Sequence, residues 1–186
     1  MPSYPHRPII AADALILKVT AAFGCAGFAL LAMQSFFQEW NRALAGLIYG
    51  ATLAASSVAS MVYNRYFRHV AGSRGNRNWR MLDHIAIFLL IAGTYTPFSW
   101  IGFRDGGGYL LPLVWALAGI GIALKFILKF RFPILFVALY MAMGWVVVFG
   151  ADHLFSDLAP VPFGLLVAGG VIYTVGVLFH LLKNWV

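Results

Sequence analysis

Charged side chains are scarce in this sequence: only 10% of its 186 residues are Asp, Glu, Lys or Arg, and just 6 of those are acidic. Cysteine occurs once, at Cys25 inside an apolar run, which excludes an intrachain disulfide and a cysteine-based metal cluster. Stretches of apolar/polar alternation are missing as well, so the strands of a membrane barrel are excluded. What remains is apolar. At 62% hydrophobic residues and a mean hydropathy of +0.84, there is far more apolar surface than a water-soluble chain of this length can bury. Nineteen glycines and 16% aromatic residues fit membrane helices, where small residues let helices approach and rings sit at headgroup level.

Six apolar segments are each long enough to span a bilayer: 11–33, 43–63, 82–101, 110–130, 133–151 and 161–182. Because backbone groups in hydrocarbon must find internal partners, these segments are expected to be helices. The expected fold class is therefore all-α: a polytopic membrane helix bundle forming a single transmembrane domain over 1–186. Arg7 followed by a run of spanning length reads as a signal anchor in preference to a cleaved signal peptide.

The positive charge is unevenly spread. Of the 13 Lys and Arg residues, eleven fall at one set of ends (Arg7 and Lys18, the Arg65 to Arg80 loop, Lys125 to Arg131, and Lys183), and only Arg42 and Arg104 fall at the other. Glu39, Asp105, Asp152 and Asp157 lie on that poorer side. The positive-inside rule then predicts six crossings with both termini cytoplasmic, in a bacterial plasma or inner membrane. The loop from Arg65 to Arg80 is expected to meet anionic headgroups; its aromatic interleaving for base stacking is weak, so no nucleic-acid partner is expected.

Polar residues within spanning segments are candidates for function. Ser57, Ser60 and Asn64 repeat at i, i+3 and i+7 toward the end of the second segment, and Asp83 and His84 open the third at the same membrane face. A polar cluster of Ser60, Asn64, Asp83 and His84 is expected there. Asp83 could equally serve as a helix cap. His180, closing the sixth segment at that face, is a further candidate that could join Asp83 and His84 around a metal. Thr94, Tyr95 and Thr96 precede Pro97 and are expected to bond carbonyls freed by the proline. Lys125 is expected to snorkel to the headgroups, and Gly169, Gly170 and Gly176 to suit close helix packing.

The run Met81-Leu82-Asp83-His84-Ile85-Ala86-Ile87-Phe88-Leu89-Leu90-Ile91-Ala92-Gly93-Thr94-Tyr95-Thr96-Pro97-Phe98 resembles the signature of the hemolysin III family, the bacterial branch of the progestin and adipoQ receptor superfamily. Tyr140-Met141-Ala142-Met143-Gly144-Trp145 resembles its fifth-helix motif, and Gly169-Gly170-Val171-Ile172-Tyr173-Thr174-Val175-Gly176 its sixth. Tyr49-Gly50 with Ser60-Met61-Val62-Tyr63-Asn64 is similar to its second. The resemblance implies a seven-helix membrane bundle with zinc near the cytoplasmic face, held by a Ser-x-x-x-His histidine and a His-x-x-x-His pair on helix seven, in a superfamily that includes zinc-dependent lipid amidases such as ceramidases. Here Ser60 is followed by Asn64 in place of histidine, Ala21 stands where a first-helix histidine aligns, and the sequence reaches Val186 before a seventh helix. Of the implied metal site Asp83 is retained, with Ser60 beside it. The expectation is a noncatalytic hemolysin III-like protein, in the class of membrane-homeostasis or pore-forming (cytolytic) factors, with no zinc. The alternative is a zinc-dependent membrane hydrolase of lipid amides or esters from which a seventh helix has been lost.

Overall fold

The computed structural model describes the backbone of residues 7–67, 73–102, 109–150 and 160–183, and side chains over most of those stretches. Among the described residues there are six long helices and no strand: α1 (Arg7–Ser35), α2 (Trp40–Val62), α3 (Arg74–Pro97), α4 (Leu110–Leu128), α5 (Pro133–Trp145) and α6 (Pro160–Lys183). The protein is an all-α membrane protein. Four stretches, Leu15–Ser35, Trp40–Phe67, Arg74–Trp100 and Leu110–Leu128, are long and apolar enough to cross a bilayer. The 13 residues of α5 continue into a 3₁₀ turn of 5 residues, Val146–Gly150, and the two together cover about 30 Å, the thickness of the hydrocarbon layer. Leu15, Phe23, Phe126, Ile127, Ile172 and Phe179 are all more than half exposed, a surface suited to lipid and not to water.

The chain divides into two compact units, Met1–Gly93 and Thr94–Val186. In the first, helices meet at small residues. A Cβ on Gly24 would lie 2.6 Å from the Ser57 hydroxyl, and one on Gly50 would lie 3.1 Å from the Phe28 Cα, so α1 and α2 approach almost backbone to backbone. Gly93 is similarly pressed against Thr52, which brings α3 to α2. Ala45 and Ala92 are completely buried.

α3 begins eight residues before the apolar segment that sequence reading assigns to it. Ser73 caps it: its hydroxyl accepts from the Asn76 N–H at 3.0 Å, and its carbonyl accepts from the Arg77 N–H at 3.2 Å. The polar first turns are then clipped to the end of α2. The Asn76 amide donates to the Phe67 carbonyl, the Phe67 ring stacks on Trp79 at 5.8 Å, and Gly75 leaves room for that ring. Asp83 and His84 therefore sit more than two turns inside the helix, which removes the capping role for Asp83.

Two helices end in widened π turns, Tyr63–Phe67 after α2 and Phe98–Gly102 after α3. The second follows Pro97, which has no N–H to continue the α ladder and crowds the carbonyl four residues earlier. Tyr95 bonds across to α5 instead of healing its own helix. Its hydroxyl accepts from the Val147 N–H at 2.8 Å and lies 3.0 Å from the Met143 and Gly144 carbonyls, to which it donates. It thereby holds the point where α5 changes from α to 3₁₀. Beside it the Trp115 indole donates to Thr96 at 3.3 Å.

Lys125 does not snorkel. It is 1% exposed, with its ammonium 3.9 Å from the centre of the Phe136 ring and 5.1 Å from that of Phe130, because the turn after α4 and the start of α5 supply two aromatic faces to the cation. No described atom lies within 4 Å of where a Cβ would stand on Gly169, Gly170 or Gly176, so the small-residue face of α6 is unfilled among the described residues.

Candidate functional site

The polar centre of the first unit lies where α2 leaves regular α geometry and runs beside α3. Ser57, Ser60 and Asn64 share a stripe in sequence, but the structure divides them. The Ser57 hydroxyl donates to its own Leu53 carbonyl at 2.8 Å and sits opposite Gly24 on α1. Ser60 turns to α3 and hydrogen-bonds the Asp83 carboxylate. Asn64, in the π turn, donates its side-chain N–H to the Ser60 carbonyl at 2.9 Å and, more distantly, to the Ser60 hydroxyl at 3.4 Å.

The result is an ordered chain of donors. Asn64 gives to Ser60, and Ser60, whose hydroxyl has a single proton, gives to Asp83. Placing a carboxylate at this depth requires such a donor, because a charge without a hydrogen-bonded partner is costly away from water. All four expected residues, Ser60, Asn64, Asp83 and His84, are half-buried, and His84 occupies the position after Asp83 on α3. His180 lies on α6, with its side chain outside the described residues. Among the described residues no three His, Cys, Asp or Glu side chains gather as metal ligands.

The two segments joined by the Phe67–Trp79 stack carry the exposed Arg65, Arg74 and Arg77 and the half-buried Arg80; Arg68 and His69 lie outside the described residues. The clip itself is foreshadowed only by Ser73 and Asn76 at capping spacing. One further polar group, the Ser99 hydroxyl in the π turn after Pro97, is buried with no described hydrogen-bond partner, whereas the helix hydroxyls of Thr20, Ser35, Thr52, Ser57 and Thr174 each donate to a carbonyl three or four residues back.

Comparison with known proteins places this geometry in context. A stretch of 105 residues, 56% of this chain and 49% of the relative, is 40% identical to the "Hemolysin-3 homolog" of Bacillus subtilis (strain 168). A stretch of 102 residues, 54% of this chain and 47% of the relative, is 44% identical to "Hemolysin-3" of Bacillus cereus. The chain thus spans about half the length of the curated relatives it matches. No solved structure matches it. The family profile described as "Haemolysin-III related" matches residues 15–185, nearly the entire sequence, and the chain belongs to that family.

Proposed function

We propose that this chain is a noncatalytic membrane protein of the haemolysin-III type, one that acts on membrane permeability or homeostasis and whose polar centre is structural. The observation that carries this is the Asn64 to Ser60 to Asp83 chain of hydrogen bonds. At the position where the related zinc proteins are expected to present an imidazole, Asn64 offers an amide whose nitrogen is engaged with its own helix. The groups present here are one carboxylate, one amide, one hydroxyl and, on the residue after Asp83, one imidazole, that of His84. That set falls short of a hydrolytic zinc site, which needs three imidazole, thiolate or carboxylate ligands plus an open position for an activated water, where an amide and a hydroxyl are poor substitutes.

In this reading the protein resides in a bacterial plasma membrane with both termini inside, and Arg65 to Arg80 face anionic headgroups. The names of the Bacillus relatives carry a cytolytic role to this chain as part of the same proposal. Reconstitution into vesicles holding a self-quenched dye tests it. Dose-dependent leakage without release of fatty acid from ceramide or phospholipid is expected. Fatty-acid release that depends on added zinc, and that is lost in Asp83→Ala, would favour the hydrolase instead.

A further inference from the structure

The turn between α4 and α5 is the one place among the described residues where a non-glycine residue takes a positive φ. The Arg131 N–H donates to the Leu128 carbonyl at 3.2 Å, which closes a four-residue turn over Lys129 and Phe130. Lys129, at φ 54° and ψ −117°, holds the first central position of a type II′ turn, where a Cβ is crowded and glycine is favoured. Strain of this kind persists only where surrounding contacts over-determine it. Here those contacts converge on Lys125. The Lys129 N–H donates to the Lys125 carbonyl at 2.9 Å, the turn lays the Phe130 ring 5.1 Å from the Lys125 ammonium, and α5 brings the buried Phe136 ring to 3.9 Å.

The ammonium has a second place to go. α4 is of spanning length and ends at Leu128, so the turn stands at a membrane surface, and Lys125 lies about one helical turn, about 5 Å, beneath it. An extended lysine covers that distance, which is how lysines near helix ends reach the headgroups. Lys129 and Arg131 are exposed, and no acidic residue occurs in α4, the turn or α5, so the surface there is basic throughout and draws anionic headgroups. Buried, the ammonium has two aromatic faces but gives up hydration, and Lys129 stays strained. At the surface it meets water and phosphate and Lys129 relaxes, but the ring contacts are lost. These terms oppose one another, so a ligand that favours one position shifts the balance between the two.

We infer that Lys125 and Phe130 form a latch on the α4–α5 turn that anionic phospholipid opens. The arrangement described above is the closed state. In the open state Phe130 leaves the ammonium, which rises to a lipid phosphate alongside Lys129 and Arg131. The inference needs α4 to span the membrane and is independent of the polar centre at Ser60, Asn64 and Asp83.

Amine labelling of the purified chain tests this, in nanodiscs of phosphatidylcholine alone or of phosphatidylcholine and phosphatidylglycerol in equal parts. Labelling of Lys125 is read by mass spectrometry against the denatured chain. Slow labelling in phosphatidylcholine is expected, and labelling at least about fivefold faster with phosphatidylglycerol, the equivalent of one basic residue's attraction to an anionic surface. Such a surface also concentrates protons, which slows amine labelling, so surface pH does not mimic the rise. Phe130→Ala removes the ring that the turn lays on Lys125 and should speed labelling in phosphatidylcholine. Lys129→Gly relieves the strain of the closed state and should slow labelling in the mixed nanodiscs by between about fivefold and a hundredfold. Lys129→Ala discards the same charge but keeps the Cβ, and should slow it by no more than about fivefold. Both changes at Lys129 fall on an exposed turn, so they report on the latch even if Phe130→Ala fails to fold. Equal labelling of Lys125 in the two lipids, or labelling of Lys129→Gly no slower than that of Lys129→Ala, would each overturn the inference.

Discussion

Gly24, Gly50 and Gly93 stand where a Cβ would strike a neighbouring helix, whereas Gly119, Gly144, Gly164, Gly169, Gly170 and Gly176 have no described atom within 4 Å of that position. The first three belong to the unit Met1–Gly93 and the others to Thr94–Val186. Lipid tails are as apolar as the side chains, so burial of apolar surface does little to join helices in a membrane. The first unit answers with close backbone approach. The described contacts of the second rest more on side-chain chemistry: the Tyr95 hydroxyl against the end of α5, the Trp115 indole on Thr96, and Lys125 between two aromatic rings. Among the described residues, then, the glycines of α6 are not packing positions, although α6 is rich in glycine.

The sharpest way to break this contrast is to enlarge glycines in both units. Gly50→Leu forces a side chain against the Phe28 backbone and should cost more than about 3 kcal/mol, at or beyond the usual range of overpacking, while Gly170→Leu should cost less than about 1. Loss of helicity on SDS titration of the purified proteins measures both. Equal sensitivity at the two positions would remove the distinction.

A smaller loss is expected from Tyr95→Phe. The variant keeps the ring but leaves the Val147 N–H without its described partner, so it should cost about 1 to 3 kcal/mol by the same titration. Hydrogen exchange at Val147 should rise with it. Lys125→Met retains the stem and discards the cation; it should cost about 1 to 2 kcal/mol if the Phe136 contact is favourable, and a more stable variant would mean that burial of the charge outweighs the aromatic attraction. Gly144→Ala has the smallest expected effect and the opposite sign. With open space around it in a helix, the added methyl should stabilise by up to about 1 kcal/mol.

The helical membrane fold is legible in the sequence because long uninterrupted apolar runs allow few other structures. The start of α3 is not, since Arg74 to Arg80 looks like a loop until Ser73, Asn76 and the Phe67–Trp79 pair are seen to hold it. The residue types of the polar centre can be read from spacing, but the order of its hydrogen bonds cannot. Ser57 and Ser60 are indistinguishable in the pattern, and only the structure shows one against Gly24 of α1 and the other against Asp83 of α3. Tyr95 escapes sequence reading for another reason: its partners are backbone groups about fifty residues away, created only where α5 tightens into a 3₁₀ turn. Lys125 has the position of a snorkelling lysine, and only the two rings after α4 turn it inward.

The proposal that Ser60, Asn64 and Asp83 form a structural hydrogen-bonded centre is tested most directly by elemental zinc analysis of the chain purified in detergent with zinc supplied, alongside Asp83→Ala. Well under one zinc per chain, unchanged by the substitution, is the predicted result. Close to one zinc per chain in the wild type, lost in Asp83→Ala while helicity is retained, would contradict it.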